Sequence, residues 1–516
     1  MEKIKSKFQK FPWSEVLIVV ILLVAAYLRL YNISGYMTFL GDEGRDVLIV
    51  KRMIVDHKFT LLGPTASVGG FFLGPIYYYF MLPFLWLWRL DPTGPAVMVA
   101  LFGVGTVYLL YRFGKELFEP LVGFIAASLF ALSPVAIAYS RSSWNPNIVP
   151  FFSLLLLYSC WKALQREATQ KKYLLIAGVC LGIGLQLHYL FLFLFPVVFF
   201  WLLLFGKKSH VLKYFLLIAI GFGIGYAPFL LFEIRHGFPN TQTVIRFIFE
   251  GKVTGFTSQK YFTIILDVLR RLFGRFLLRE PQPEIWRMLP VWHLRLWFVG
   301  IAGMITLSLG VAVFALFHRK THRKAMTLVV LWLCIPLVLF GFYKKGIYDY
   351  YFGIFSVVPF FLTAYSLMEF RSVRWGKWII AILWTGLLIF NWQGRPFLYG
   401  PNNQLANVRT IAKEIFTRAD NKPFNFALIT DGNSDHAYRY FLELWGNKPV
   451  TIETTESDPK RKTVTDQLLV LCESSDCKPL GHPLWEIAGF GRAEIMGMWD
   501  ISFVKLFKLV HYSQEL

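Results

Sequence analysis

Five short polar stretches interrupt an otherwise apolar chain, and their residue types could do chemistry. The first, FLGDEGRDVLIVKRM, sets Asp42 and Glu43 between two glycines and follows them with Arg45 and Asp46. Adjacent carboxylates of this kind can supply a general base: one Asp takes a proton from a hydroxyl while neighbouring cations keep it ionised. Asp42 is the candidate. The same spacing also has a structural reading, in which Asp42 caps a helix beginning near Glu43 and the acids Glu43 and Asp46 favour its amino end.

A base needs an electrophile, and the other stretches suggest one bearing phosphate. YSRSSWNPN carries Arg141, Trp144, Asn145 and Asn147; LQLHYL carries His188 and Tyr189. FEIRHGFPN carries Arg235 and His236, and FYKKGIYDYYF carries Lys344, Lys345, Tyr348, Asp349, Tyr350 and Tyr351. Arg141, Arg235, His236, Lys344 and Lys345 could pair with a lipid-linked phosphate or with an ordinary anionic headgroup. Trp144, Tyr189, Tyr348, Tyr350 and Tyr351 could stack on sugar rings or stand in an interfacial aromatic belt. His188 reads as a hydrogen-bonding core histidine rather than a metal ligand, because no HxxxH or HExxH accompanies it.

The elements that must hold these groups are membrane helices. Of 516 residues 56% are hydrophobic and only 16% charged, against about 25% charged in soluble domains; mean hydropathy is +0.50. This excludes collagenous, disordered and small disulfide-framework chains. Apolar runs of roughly 20 residues are bilayer crossings. They fall at Trp13–Leu30 and at about 95–113, 118–139, 147–164, 173–187, 189–205, 214–232, 295–317, 325–342, 350–368 and 376–393. The run of 33 residues from 173 to 205 is split at His188, and Pro75–Leu90, interrupted by Pro83, is laid along the interface as an amphipathic helix.

Charge supports that topology. Residues 1–400 carry 40 Lys and Arg against 17 Asp and Glu, and residues 401–516 carry 13 against 15. The excess lies in short loops between apolar runs, where it records orientation and not a nucleic-acid footprint. Placing the basic loops inside puts the polar stretches, and hence the chemistry, outside. The outer segment 233–294 is expected to hold a re-entrant or surface helix around Tyr261–Leu278. No secretory cleavage site follows the first run, which reads as an uncleaved helix with its amino end in the cytoplasm.

Beyond Asn391 the pattern changes. FNFALIT, VTIETTE, QLLVLCE and FVKLFKLVH read as strands, and QLANVRTIAKEIF and HAYRYFLELWG as amphipathic helices. The expectation is a transmembrane domain over 1–400, with its first outer loop at 31–94, and an extracytoplasmic α/β domain over 401–516. Asp431, Asp435 and His436 read as turn and cap residues. Cys472 and Cys477 can form a disulfide there; the CxxxxC pair has no other His or Cys nearby to make a zinc site.

An apolar first helix, an outer loop opening with Asp42 and Glu43, the stretch GPIYYYFMLP and then SRxxWNPN, in that order, resemble the GT-C type membrane glycosyltransferases. The resemblance runs over about residues 10–400 and is strongest in 35–150. Within them the chain is most similar to family 39, the protein O-mannosyltransferase-like enzymes and their relatives that add aminoarabinose to lipid A. The resemblance implies a polytopic α-helical, GT-C-like fold with about 11 to 13 transmembrane helices. It also implies transfer of a hexosyl or pentosyl group from a polyprenyl-phosphate donor to a lipid, glycan or protein acceptor outside the cytoplasmic membrane, with inversion. By the same resemblance Asp42 is the base, Glu43 supports it, and Arg141, Lys344 and Lys345 hold the donor phosphate. Where many relatives carry an Asp in the second outer loop this chain has Asn145 and Asn147, which speaks against a carboxylate-bound divalent metal; no metal ligands and no cofactor are assigned. The Gly-Pro stretch lacks the His-Pro-Pro beginning common in the group. The competing function is a transporter or flippase of a lipid-linked saccharide, which predicts two similar halves and midplane charges; neither is evident in the sequence. A third reading is a sugar-binding receptor or assembly factor, in which Asp42 would be replaceable by Asn.

Overall fold

The computed structural model describes residues 13–66, 69–250, 254–474 and 477–512. The chain divides into two compact units, one of Met1–Tyr31, Thr60–Phe80 and Ala96–Gly400, the other of Asn32–Phe59, Met81–Pro95 and Pro401–Leu516. The second unit therefore combines the tail with two stretches of the segment 31–94.

The first unit is helical. Helices occupy each stretch read as apolar: Trp13–Leu30, Thr93–Leu117, Pro120–Leu132 continued by Pro134–Tyr139, Val149–Ala163, Glu167–Leu187, Leu194–Phe205, Val211–His236, Val291–His318, Arg323–Phe340, Val358–Glu369 and Gly376–Trp392. Among the described residues four helices are long and apolar enough to cross a bilayer, Thr93–Leu117, Lys208–His236, Val291–His318 and Arg323–Phe340; Val16–Leu30, Ile76–Leu87, Pro120–Leu132, Tyr189–Phe205 and Gly376–Trp392 are apolar but shorter. Local chemistry accounts for several breaks. Extended Ser133 ends one helix and Pro134 opens the next, the position a proline suits best. Extended His188 ends Glu167–Leu187, and a 3₁₀ turn follows at Tyr189–Phe193. On Val211–His236 the exposed residues Leu212, Leu216, Ile220 and Ile224 form an apolar row, an arrangement that suits hydrocarbon and not water.

Small residues let two of these helices touch backbone to backbone. A Cβ at Gly178 would fall 2.1 Å from the carbonyl oxygen of Ile218, and one at Gly221 would fall 2.2 Å from that of Leu175. Gly182 and Gly225 repeat the fit one turn on, so Glu167–Leu187 and Val211–His236 meet through paired small-xxx-small faces. Arg29, fully buried, ties the first helix to Pro120–Leu132 by donating through its Nη atoms to the carbonyls of Phe130 and Ala131.

The segment 233–294 holds the helices Pro239–Phe249, Ser258–Leu277 and Pro283–Trp286. Glu233 anchors the first of them: its carboxylate accepts from the amides of Asn240 and Thr241 and from both side chains.

The second unit is built on a four-stranded sheet in the order β1-β2-β4-β3, with β1 Asn425–Ile429, β2 Gln467–Cys472, β3 Ala493–Ile501 and β4 Val504–His511. β1 and β2 are parallel, and β4 is antiparallel to both β2 and β3. Ala427, Leu468, Val470, Phe507 and Leu509 form its core with Ile452, Ile487 and Phe490. The helices Gln404–Arg418 and His436–Leu444 stand where the amphipathic pattern placed them. One strand reading needs correction, and one strand was not read. VTIETTE is not a strand: Val450 makes a single parallel bridge to Asn425, and the chain then turns, with Ser457 N bonded to Thr454 O. The strand that replaces it, β3, carries a bulge between Ile495 and Gly497. Cys472 and Cys477 are joined by a disulfide.

Candidate active site

The helix carrying the acidic pair runs from Gly41 to Val55, with extended Leu40 as its N-cap. Glu43 stands at the third helical position and reaches back, its Oε2 accepting from the Leu40 amide at 3.1 Å, the carboxylate half of a capping box. This corrects the structural reading of Asp42. The helix starts one residue before Asp42, so the capping bond belongs to Glu43. Asp42 has a side chain 55% exposed, with Oδ1 accepting from Arg45 Nη1 at 2.8 Å. Arg45 also donates through Nε and Nη2, at 3.0 and 2.8 Å, to Oδ1 of buried Asp46. One guanidinium thereby orients two carboxylates.

Burial, reinforced by the charges of Asp42 and Asp46, pushes the Glu43 carboxyl up to about 7 despite its backbone hydrogen bonds. The proton it holds near neutrality relieves the crowding of three acids in five residues. Farther along the helix, Glu443 accepts from Lys51 Nζ at 3.2 Å and from Arg52 Nε and Nη2 at 3.0 and 2.7 Å. Burial pushes the Glu443 carboxyl up, but the bonds and charges of Arg52 and Lys51 outweigh it and hold the group below its ordinary value. His436 accompanies the helix start: its Nδ1 lies 2.8 Å from Ser434 Oγ, and burial lowers its affinity for a proton.

In the helical unit the other candidate stretches assemble in part. Trp144 packs on Tyr350 with ring centroids 4.4 Å apart; His188 stacks on Tyr189 and lies 5.2 Å from Tyr351. The hydroxyls of Tyr189 and Tyr343 are 3.4 Å apart. WNPN, LHY and YDYY thus form one aromatic cluster. Its polar members are committed inward: Asn145 Nδ2 donates to Leu187 O at 2.6 Å, Asn147 Nδ2 to Ser142 O at 3.0 Å, and the Leu190 amide to His188 Nδ1 at 3.2 Å. Arg141 is buried, with Nη1 and Nη2 on the carbonyls of Leu28 and Tyr31 at 2.8 and 2.7 Å and its guanidinium over Phe397. Lys344 and Lys345 are exposed. Arg235 and His236 are also exposed, the latter folded back on Phe232 O.

Sequence reasoning missed the partners of Asp349. Arg271 donates to its Oδ1 through Nε and Nη2 at 2.9 and 2.5 Å, and Arg275 Nε donates to Oδ2 at 2.8 Å. A signal existed: Asp267, Arg270, Arg271 and Arg275 recur at helical spacing in the expected surface helix. A cavity of about 30 Å³ lies between Asp349, Tyr350, Asn147, Tyr139 and Ser140, enough for one or two waters. Among the described residues no three His, Cys, Asp or Glu side chains converge as a metal ligand set.

Residues 74–232 match the family described as dolichyl-phosphate-mannose-protein mannosyltransferase. YycA of Bacillus subtilis (strain 168), a candidate mannosyltransferase, is 29% identical over 176 residues, 33% of this chain and 24% of YycA. YkcB of the same organism, likewise a candidate mannosyltransferase, is 26% identical over 173 residues, 33% of this chain and 23% of YkcB. The chain thus spans about a quarter of the length of these relatives. In structure it is similar to ArnT from Cupriavidus metallidurans bound to undecaprenyl phosphate, over 96% of this chain and 97% of that one, with TM-score 0.61 and 12% identity. It is also similar to the Archaeoglobus fulgidus oligosaccharyltransferase in complex with zinc and sulfate, over 88% and 67% of the two chains, with TM-score 0.53 and 13% identity. This integral membrane protein thus shares its fold with these two solved structures, and its residues 74–232 match the mannosyltransferase family model.

Proposed function

We propose that the protein transfers a sugar from a polyprenyl-phosphate-linked donor to a hydroxyl of a lipid, glycan or protein acceptor on the outer side of the cytoplasmic membrane, with Asp42 as general base. The observation that carries this reading is the division of labour in the acidic pair. Glu43 takes the capping bond and is buried, whereas Asp42 keeps its carboxylate in the open on the same helix, oriented by Arg45. Asp42 accepts the acceptor's proton as the hydroxyl oxygen attacks the anomeric carbon. The bond to phosphate breaks with its electron pair, and the configuration inverts.

A phosphate leaving group needs charge neutralisation and little acid assistance; Lys344 and Lys345, exposed at the end of Arg323–Phe340, are suited to it. Trp144, Tyr189 and Tyr350, each half-buried, offer stacking faces for a sugar ring, whereas Tyr351 is buried. Arg141, Asn145, Asn147 and His188, bonded to backbone, shape that wall. The polyprenyl carrier is supported by the similarity to a fold solved with undecaprenyl phosphate. In this reading residues 1–400 receive the donor and residues 401–516 form an extracytoplasmic domain.

The test is a panel of labelled polyprenyl-phosphate sugars offered to the purified protein in vesicles with crude membrane acceptor. Label passing from one donor to acceptor supports transfer. Label crossing the vesicle membrane with no donor consumed supports a flippase and sinks this reading.

A further inference from the structure

β1 and β2 run parallel with Ile429 paired to Cys472, so their carboxyl ends lie side by side. The residues just beyond meet there: Thr430 Oγ1 donates to Glu473 Oε2 at 2.8 Å. Glu473 also accepts from Tyr438 OH at 2.7 Å and from Asn433 Nδ2, which lies 3.1 Å from Oε1 and 3.2 Å from Oε2. Next to it the Cys472–Cys477 disulfide closes a short loop. Glu473 is thus held by three side chains and fixes which way the Asn433 amide faces.

With its nitrogen on Glu473, Asn433 presents Oδ1 to two backbone amides, Ser434 N and Gly41 N, each at 2.9 Å. Gly41 is the first residue of the Asp42 helix, and its amide is one of the donors that an α-helix leaves without an internal partner. The approach is close on both sides of Asp42. A Cβ at Gly41 would fall 2.8 Å from Ser434 N, and one at Gly44 would fall 2.3 Å from Ala437 N. No side chain could be tolerated at either glycine without moving backbone.

We infer that Asn433 is a positioning residue for Asp42, acting through the Gly41 amide, and that Glu473 orients Asn433. The inference rests on reading Asp42 as the base. It gives the tail a role its sequence does not advertise: one of its turns sets the backbone from which the base projects. A base displaced by about 1 Å loses on the order of a hundredfold in rate, so one amide-to-carbonyl bond at this point matters.

The test compares wild type with Asn433→Ala, Asn433→Asp and the double variant Asn433→Asp/Glu473→Gln, all as full-length protein. The double variant reverses donor and acceptor within the pair: the new carboxylate still accepts from Gly41 N, and the new amide donates to it. Two readouts are taken, sugar transfer with the donor panel and hydrogen exchange at the amides of Gly41 to Arg45. Asn433→Ala is expected to lower kcat about tenfold or more with KM for donor nearly unchanged. It is also expected to raise exchange at those amides about tenfold, through easier local opening. The double variant is expected to recover most of both, and Asn433→Asp alone, which sets two carboxylates face to face, is not. Unchanged exchange in Asn433→Ala overturns the inference, as does a kcat loss that the double variant leaves unrepaired. If wild type transfers no sugar, yet exchange rises in Asn433→Ala and is restored in the double variant, the anchoring stands and the reading of Asp42 as a base is what fails.

Discussion

The Glu43 carboxylate accepts from the amide of Leu40 at 3.1 Å, and this one bond decides what its neighbour is free to do. Burial raises the Glu43 carboxyl from 4.5 to about 7. Between those values the folded protein holds a proton that the unfolded chain has released. The contribution to stability is therefore complete below about 4.5 and is lost as pH rises through about 7. Its size is about 3 kcal/mol for the 2.5 pH units between 4.5 and 7. Glu43→Gln keeps an acceptor for Leu40 N and removes the titration, so its melting midpoint should lose the decline that wild type shows across that window.

Asp349 is shared by Arg271 and Arg275, all three side chains being at most 17% exposed. Asp349→Ala would leave two guanidinia without their common carboxylate in a largely desolvated place. Breaking a buried pair from one side costs about 3 kcal/mol, so a clear fall in thermal midpoint is expected. Asp349→Asn, which preserves shape and one acceptor oxygen, should lose less.

The helices Glu167–Leu187 and Val211–His236 meet through Gly178 and Gly221. Gly178→Ala would push a methyl against the Ile218 carbonyl, which belongs to backbone and cannot rotate away. Overpacking of this kind costs about 2 kcal/mol. The variant should melt earlier in detergent than Gly223→Ala, where a Cβ meets nothing within 4 Å.

Some of this architecture could be read from the chain and some could not. The break at His188 was legible because a polar residue sat midway in a mainly apolar run of 33 residues, more than one bilayer crossing can use. The helix after Leu40 was legible, but its first residue was not. Two adjacent acids fit the amino end in two frames one residue apart, and only the Leu40 amide chooses Glu43. VTIETTE has the composition of a strand and makes one bridge, whereas β3, interrupted by Gly497 and a bulge, shows no even alternation; neighbours across a sheet override propensity. Arg271 and Asp349 are 78 residues apart, and Gly41 and Asn433 are 392 apart. Local spacing carries no trace of either pairing.

The measurement that bears most directly on the proposed reaction is sugar transfer by Asp42→Asn beside wild type, with the same donor and acceptor and with folding checked by melting midpoint. Asn fills the same space and can still accept from Arg45, so the helix should survive. Transfer should fall by at least about a hundredfold, within the range usual for loss of a general base. Full transfer by Asp42→Asn would contradict the assignment of the base and, with it, the reading of this face of the protein as catalytic.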